Sequence, residues 1–160
     1  MAERILGLES CSKKNEVRTI LTPKQKGNLT EMLCCVEFMK LGVKISLPFG
    51  EDCRYDFIAD VNGKLIKVQC KSSHKLDNKQ GFTFKCESVV STTSRITTYK
   101  YNENDIDYFA TIDDGQCYLV PVQECGCNKT LRYCYPANGQ KKNICLAENY
   151  KLKEMLEQIK

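Results

Sequence analysis

Apolar residues recur at Leu29, Met32, Leu33 and Val36, the i, i+3, i+4, i+7 spacing of one helix face, which predicts a helix over residues 24–41. Pro23 suits its first position and Gly42 its stop, where a left-handed residue is favoured. Beyond Gly42 the period shortens to two. Val43-Lys44-Ile45-Ser46-Leu47 alternates up to Pro48 and reads as a strand. Residues 55–61 and 64–71 read as two further strands, joined at Asn62-Gly63, a dipeptide that favours the tight turn of a hairpin. Residues 81–90 predict a fourth strand after a polar loop, 72–80, and residues 91–101, rich in Ser and Thr, predict another loop. Residues 106–112 and 116–122 form a second hairpin around Asp113-Asp114-Gly115; 131–135 is a short strand and 146–159 an amphipathic helix. Helix, run of strands, helix argues for α/β or α+β with one central sheet.

The chain of 160 residues suits one core, and 42% hydrophobic with 28% charged residues is ordinary for a globular protein. No apolar run approaches the ~18 residues of a membrane span, so no membrane partner is expected. The first residues, Met1-Ala2-Glu3-Arg4-Ile5-Leu6, lack the apolar stretch of a signal peptide, which leads to the expectation of a cytoplasmic protein. The net charge is only +4. Its distribution says more: Lys13, Lys14, Arg18, Lys24 and Lys26 make the start basic, so residues 1–22 read as a basic extension, with a short helix over 2–8, and 23–160 as the domain. Such an extension is either a solvated tail or an arm that contacts phosphates.

Eleven cysteines in a chain with no export signal read as reduced thiols, with Cys34, Cys35, Cys53, Cys70, Cys86 and Cys117 acting as small hydrophobes. Cys125, Cys127, Cys134 and Cys145 lack the paired Cys-x2-Cys spacing of structural zinc sites, which disfavours zinc.

The 55–71 hairpin carries the candidate chemistry. Asp56 precedes the Asn-Gly turn by six residues and Gln69 follows it by six, so a two-residue turn sets them nearly opposite each other. Gln69 and Lys71 share one strand face, while Val68 and Cys70 take the other. Phe57, Ile58, Ala59, Leu65, Ile66 and Val68 supply an apolar platform. Taken singly, an Asp before a strand is a turn residue, a Gln-x-Lys is a solvated face, and Glu31 is an exposed helix residue. Taken together, acid, amide and amine on one ribbon are what metal-assisted phosphodiester hydrolysis needs. Such sites hold divalent cations against the phosphate and keep a cation nearby to orient the nucleophile.

Lys26-Gly27-Asn28-Leu29-Thr30-Glu31, Leu41 through Pro48, Tyr55-Asp56-Phe57-Ile58 and Val68-Gln69-Cys70-Lys71 together resemble the PD-(D/E)XK nuclease superfamily, and most nearly its group I intron homing endonucleases. The likeness continues through Asp107-Tyr108-Phe109-Ala110 and Tyr118-Leu119-Val120-Pro121-Val122. It implies an α/β, restriction-endonuclease-like core, with a central mixed β-sheet flanked by helices, and a magnesium-dependent cut of double-stranded DNA, manganese being able to substitute. By this resemblance Glu31, Asp56, Gln69 and Lys71 are the catalytic set. Asp56, Gln69, the Cys70 backbone carbonyl and Glu31, directly or through water, are the metal ligands. Tyr55 stands where the superfamily name has Pro, and Gln69 replaces the second acid, which weakens the hold on a hard cation.

DNA contacts are expected from Lys24, Lys26, Lys75, Lys79, Thr92, Thr93, Arg95 and Lys100, whose cations and hydroxyls suit backbone and base edges. The single histidine, His74, reads as a loop residue rather than a base. One site per chain and two strands to cut favour a homodimer or homotetramer. The alternatives left open are a restriction-type or Holliday-junction-resolving nuclease, or a catalytically inactive DNA-binding module on the same fold.

Overall fold

The computed structural model describes residues 21–50, 52–91 and 93–159. Residues 1–20 of the predicted basic extension, with the short helix expected over 2–8, and Thr92 lie outside the described residues. Helix α1 spans Pro23–Lys40 and opens with a capping box: the Thr22 side chain accepts from the Gln25 backbone N–H, and the Gln25 side chain from that of Thr22. It stops at Leu41, followed by Gly42 at φ +79°. Strands β1 (Lys44–Ser46), β2 (Phe57–Val61) and β3 (Lys64–Cys70) follow, then β4 (His74–Lys75), β5 (Gly81–Lys85) and β6 (Glu87–Ser91). Strands β7 (Ile96–Lys100), β8 (Tyr108–Asp113), β9 (Gln116–Pro121) and β10 (Asn128–Arg132) complete the set before helix α2 (Leu152–Gln158).

The central sheet has the order β1-β2-β3-β8-β9. It is mixed, because β3 and β8 run parallel while its other neighbours are antiparallel. Asn62 and Gly63 both take positive φ, 55° and 87°, as a two-residue primed turn requires, and the strands pair from Val61↔Lys64 down to Phe57↔Val68. One face of the sheet packs Phe57, Ala59, Ile66, Val68, Ala110 and Leu119 against Phe38 of α1 and Leu152, Met155 and Leu156 of α2. The other turns Phe109, Tyr118 and Val120 toward Phe82, Phe84 and Leu131 of a second sheet, ordered β10-β5-β4. Burial on both faces makes β8 and β9 nearly continuous apolar runs. Each large side chain buried in these two cores contributes about 1.5–3 kcal/mol.

Several expected boundaries shift. The strand foreseen at 81–90 breaks at Cys86, whose backbone N–H turns to the Cys127 carbonyl, 2.9 Å away; β5 and β6 then join different sheets. The Ser/Thr segment after it is a loop only in part. Ile96–Lys100 pairs with Glu87–Ser91 as a two-stranded ribbon, since threonine is β-branched as well as polar. The strand foreseen at 131–135 lies at Asn128–Arg132, and the final helix covers only Leu152–Gln158 after a 3-10 turn, Ala147–Tyr150. Leu65 is exposed, so it does not join the platform under the hairpin. The stripe Leu29, Met32, Leu33, Val36 faces solvent, while α1 buries Thr30, Cys34 and Phe38. His74 sits on the exposed strand β4. Among the described residues no helix is long and apolar enough to cross a membrane.

Candidate active site

The hairpin register carries the site. Asp56 donates its backbone N–H to the Val68 carbonyl at 2.9 Å, which continues the β2–β3 ladder by one step and sets Asp56 beside Gln69. Its Oδ2 accepts from the Cys70 backbone N–H at 2.6 Å and from the Gln69 amide at 2.8 Å. That amide nitrogen also lies 3.4 Å from the Cys70 carbonyl oxygen. A carboxylate and a carbonyl therefore converge on one point, now filled by an N–H donor. Phe57, Val68 and Cys70 point into the core behind it, and Phe38 of α1 meets Phe57 edge-on at 5.1 Å.

Helix α1 brings Glu31 to the same place. Thr30 Oγ1 donates to the Lys26 carbonyl at 2.9 Å and lies 2.9 Å from Ser72 Oγ, which pins the helix to the segment just past Lys71. Burial, and then the negative charge of Asp56, push the half-buried Glu31 carboxyl above its usual value. Burial also pushes Asp56 up, against the opposing pull of the Cys70 N–H, the Lys71 charge and the Gln69 amide. Cys35 feels both acids; burial first and then their charges raise its thiol to about 11. Lys71 donates from Nζ to the Glu87 carbonyl at 3.1 Å, and burial lowers its pKa while Asp56 opposes that shift. All four residues singled out in the sequence thus share one environment.

The expected DNA-contacting residues are spread more widely. Lys24 and Lys26 are exposed on the first turn of α1, and Lys26 Nζ reaches the Ser73 carbonyl at 3.4 Å. Lys79 is exposed in the β4–β5 turn, with Thr93, Arg95 and Lys100 on the β6–β7 ribbon. Lys75 is engaged elsewhere: its ammonium holds Asp113 at 2.8 Å and Asp114 at 2.6 Å and also contacts the Tyr133 hydroxyl.

Two residues at the site went unmarked in the sequence. Arg54 bridges to Asp105 at 3.3 Å, donates to the Lys100 carbonyl at 3.1 Å, and lies 4.6 Å from the Tyr101 ring centroid. Tyr101 closed a segment read as loop. The period-two spacing of Arg54 and Asp56 was the available signal, obscured because both precede the first clearly apolar strand residue.

The model of the PD-(D/E)XK endonuclease family matches residues 21–153. The chain belongs to that family. In this PD-(D/E)XK endonuclease the match spans α1, the whole central sheet and the start of α2. Among solved structures, the fold is similar to a bacterial homing endonuclease, I-Ssp6803I, with a TM-score of 0.69 at 23% identity, covering 86% of this chain and 95% of that one. No curated protein matches the chain. The expected mixed sheet with flanking helices is the fold observed.

Among the described residues no three His, Cys, Asp or Glu side chains group as metal ligands. The donor set at the hairpin is of another kind, one or two carboxylates with an amide and a main-chain carbonyl, and these oxygens suit a hard cation that keeps several of its own waters.

Proposed function

We propose that this PD-(D/E)XK endonuclease is a magnesium-dependent, homing-type nuclease that hydrolyses phosphodiester bonds in double-stranded DNA, with manganese able to replace magnesium. The observation that supports this reading is the convergence of Asp56 Oδ2 and the Cys70 carbonyl on the Gln69 amide, beside Glu31 and Lys71. Turning the Gln69 amide over would present its oxygen where its nitrogen now stands, completing an all-oxygen set with Asp56 and Cys70. Glu31 would add a fourth group, directly or through water.

A cation held there lowers the pKa of a water and offsets charge on the phosphate. The residues supply the rest. Asp56 and Glu31 must be ionised to bind, and each sits where burial resists ionisation, so a cation satisfies them best. Lys71 has three N–H donors, of which the Glu87 carbonyl takes one, leaving others to hold a phosphate oxygen or to orient the attacking water. Lys24, Lys26 and Lys79 would contact the backbone. The β6–β7 ribbon, bearing Thr93, Arg95 and Lys100, has the two-stranded shape that a major groove admits. Cutting both strands from one site per chain calls for a homodimer or homotetramer.

Purified protein incubated with magnesium and a mixed duplex library tests the reading, with EDTA and Lys71→Ala as controls. Site-specific cleavage is expected with the metal only, falling at least about 100-fold in the variant. Equal rates for variant and wild type would remove Lys71 from the mechanism. A strong preference for four-way junctions over linear duplex would replace homing by junction resolution.

A further inference from the structure

The support around Lys71 comes from an unexpected direction. Its ammonium lies 4.8 Å from the Tyr101 ring centroid, and Arg54 approaches the same ring at 4.6 Å. The ring is braced in turn by Phe109, buried in the core, which it meets edge-on at 5.4 Å and 84°. Arg54 is itself fixed by Asp105 and the Lys100 carbonyl. A lysine side chain has four rotatable bonds and no planar constraint, so a single hydrogen bond to Glu87 leaves its ammonium free to pivot. A ring face toward one side supplies the second restraint, because its negative quadrupole attracts the ammonium without consuming an acceptor.

We propose that Tyr101 is a positioning residue for Lys71: its ring face, held between Arg54 and Phe109, fixes the ammonium so that the N–H groups not taken by Glu87 face the Asp56 side of the site. This rests on the assignment of Lys71 made above. The geometry carries a second consequence. Glu87 opens β6, Lys100 closes β7 opposite it, and Tyr101 follows directly, so both restraints on Lys71 come from the foot of one ribbon. Movement of the ribbon on DNA would therefore be felt at the amine.

The test separates ring from hydroxyl. Tyr101→Phe keeps the ring, whereas Tyr101→Met and Tyr101→Leu remove it while filling the space in two different ways. Each is assayed for single-turnover cleavage with magnesium, on a duplex that the wild type cuts, and for binding to that duplex with calcium in place of magnesium. Thermal melts check that each folds. Tyr101→Phe is expected within about threefold of the wild-type rate. Both ring-less variants are expected to cleave about tenfold or more slowly, with Kd changed by no more than about twofold, the pattern of a lost transition-state interaction.

Ring-less variants as fast as wild type would overturn the proposal. So would Tyr101→Phe slowing as much as they do, which would place the effect in the hydroxyl, and so would binding and rate falling together, which would mark a merely structural role for the ribbon foot. Lys71→Ala, run alongside, keeps two failures apart. If it cleaves like wild type, the role of Lys71 falls; if it is inactive while the ring-less variants are fast, only the role of Tyr101 falls.

Discussion

Asp56 is held at the base of the hairpin with most of its carboxylate shielded from water, beside a second acid, Glu31, that is also pushed toward protonation. A carboxyl whose pKa is higher in the folded than in the unfolded chain binds its proton more tightly when folded, so stability declines as pH climbs through that interval. Without metal, the ionised pair therefore destabilises the protein at neutral pH. Asp56→Asn removes the charge and keeps an oxygen able to accept from Cys70 and Gln69. In EDTA this variant is expected to melt above wild type at pH 8, with the gap closing as acid protonates Asp56. Magnesium should raise the wild-type melting temperature and leave that of the variant unchanged. A variant that melts below wild type at every pH would show that the two hydrogen bonds, and not the buried charge, dominate here. Cleavage should follow the same groups: it is lost on acidification at a pH above that at which an ordinary carboxylate, near ~4, takes up its proton.

The β2–β3 hairpin was the most legible element in the sequence, because its turn chemistry and alternation agree. With Asn-Gly setting the register, Asp56 and Gln69 had to meet, and they do. The helix was legible in extent but not in orientation. Its best apolar stripe is the solvent face, while Thr30, Cys34 and Phe38 are buried, since small and polar residues can pack close to a sheet and periodicity alone does not say which neighbour a face has. The ribbon was missed because threonine signals both loops and strands, and its pairing partner follows an interruption at Cys86 that no local signal marks. Arg54 and Tyr101 were missed because their contacts span many residues of chain. The hairpin makes a direct prediction. Gly63 has φ +87° and nothing within 4 Å of a Cβ built on it, so Gly63→Val costs backbone strain alone, about 1–2 kcal/mol. Urea unfolding should show that loss, with a smaller one for Gly63→Asn, whose side chain tolerates positive φ. Cleavage should fall more in the Val variant than stability explains, because strain in the turn disturbs the pairing of Asp56 with Gln69. Equal activity in all three would show that the register is held by the sheet without help from the turn.

For the whole molecule, what matters is that the proposed site is one per chain and that, among the described residues, the outer face of α1 is left exposed. Leu29, Met32, Leu33, Val36, Met39 and Leu41 are 40–68% exposed. Five of them, from Leu29 to Met39, fall on the side of the helix opposite Thr30, Cys34 and Phe38, at 100° per residue. Together they present on the order of 500 Å² of apolar surface, at the upper end of the largest patch on an ordinary monomer. That area is well over half of the ~800 Å² that each partner contributes to a stable interface. On the proposed two-strand cut, a second copy of the chain would meet this face: the same helix, turned about a two-fold axis, offers the same stripe in return, and the cut needs a second site. The double variant Met32→Lys/Met39→Lys places two charges on the stripe at positions 68% and 62% exposed, where the fold itself loses little. Sedimentation should show wild type as a dimer or larger at micromolar concentration and the variant as a monomer with an unchanged melting profile. On supercoiled plasmid bearing the target, the variant should accumulate nicked circles where wild type yields linear DNA. A wild type that sediments as a monomer would sink the assembly, and a variant that remains dimeric would move the interface to another face.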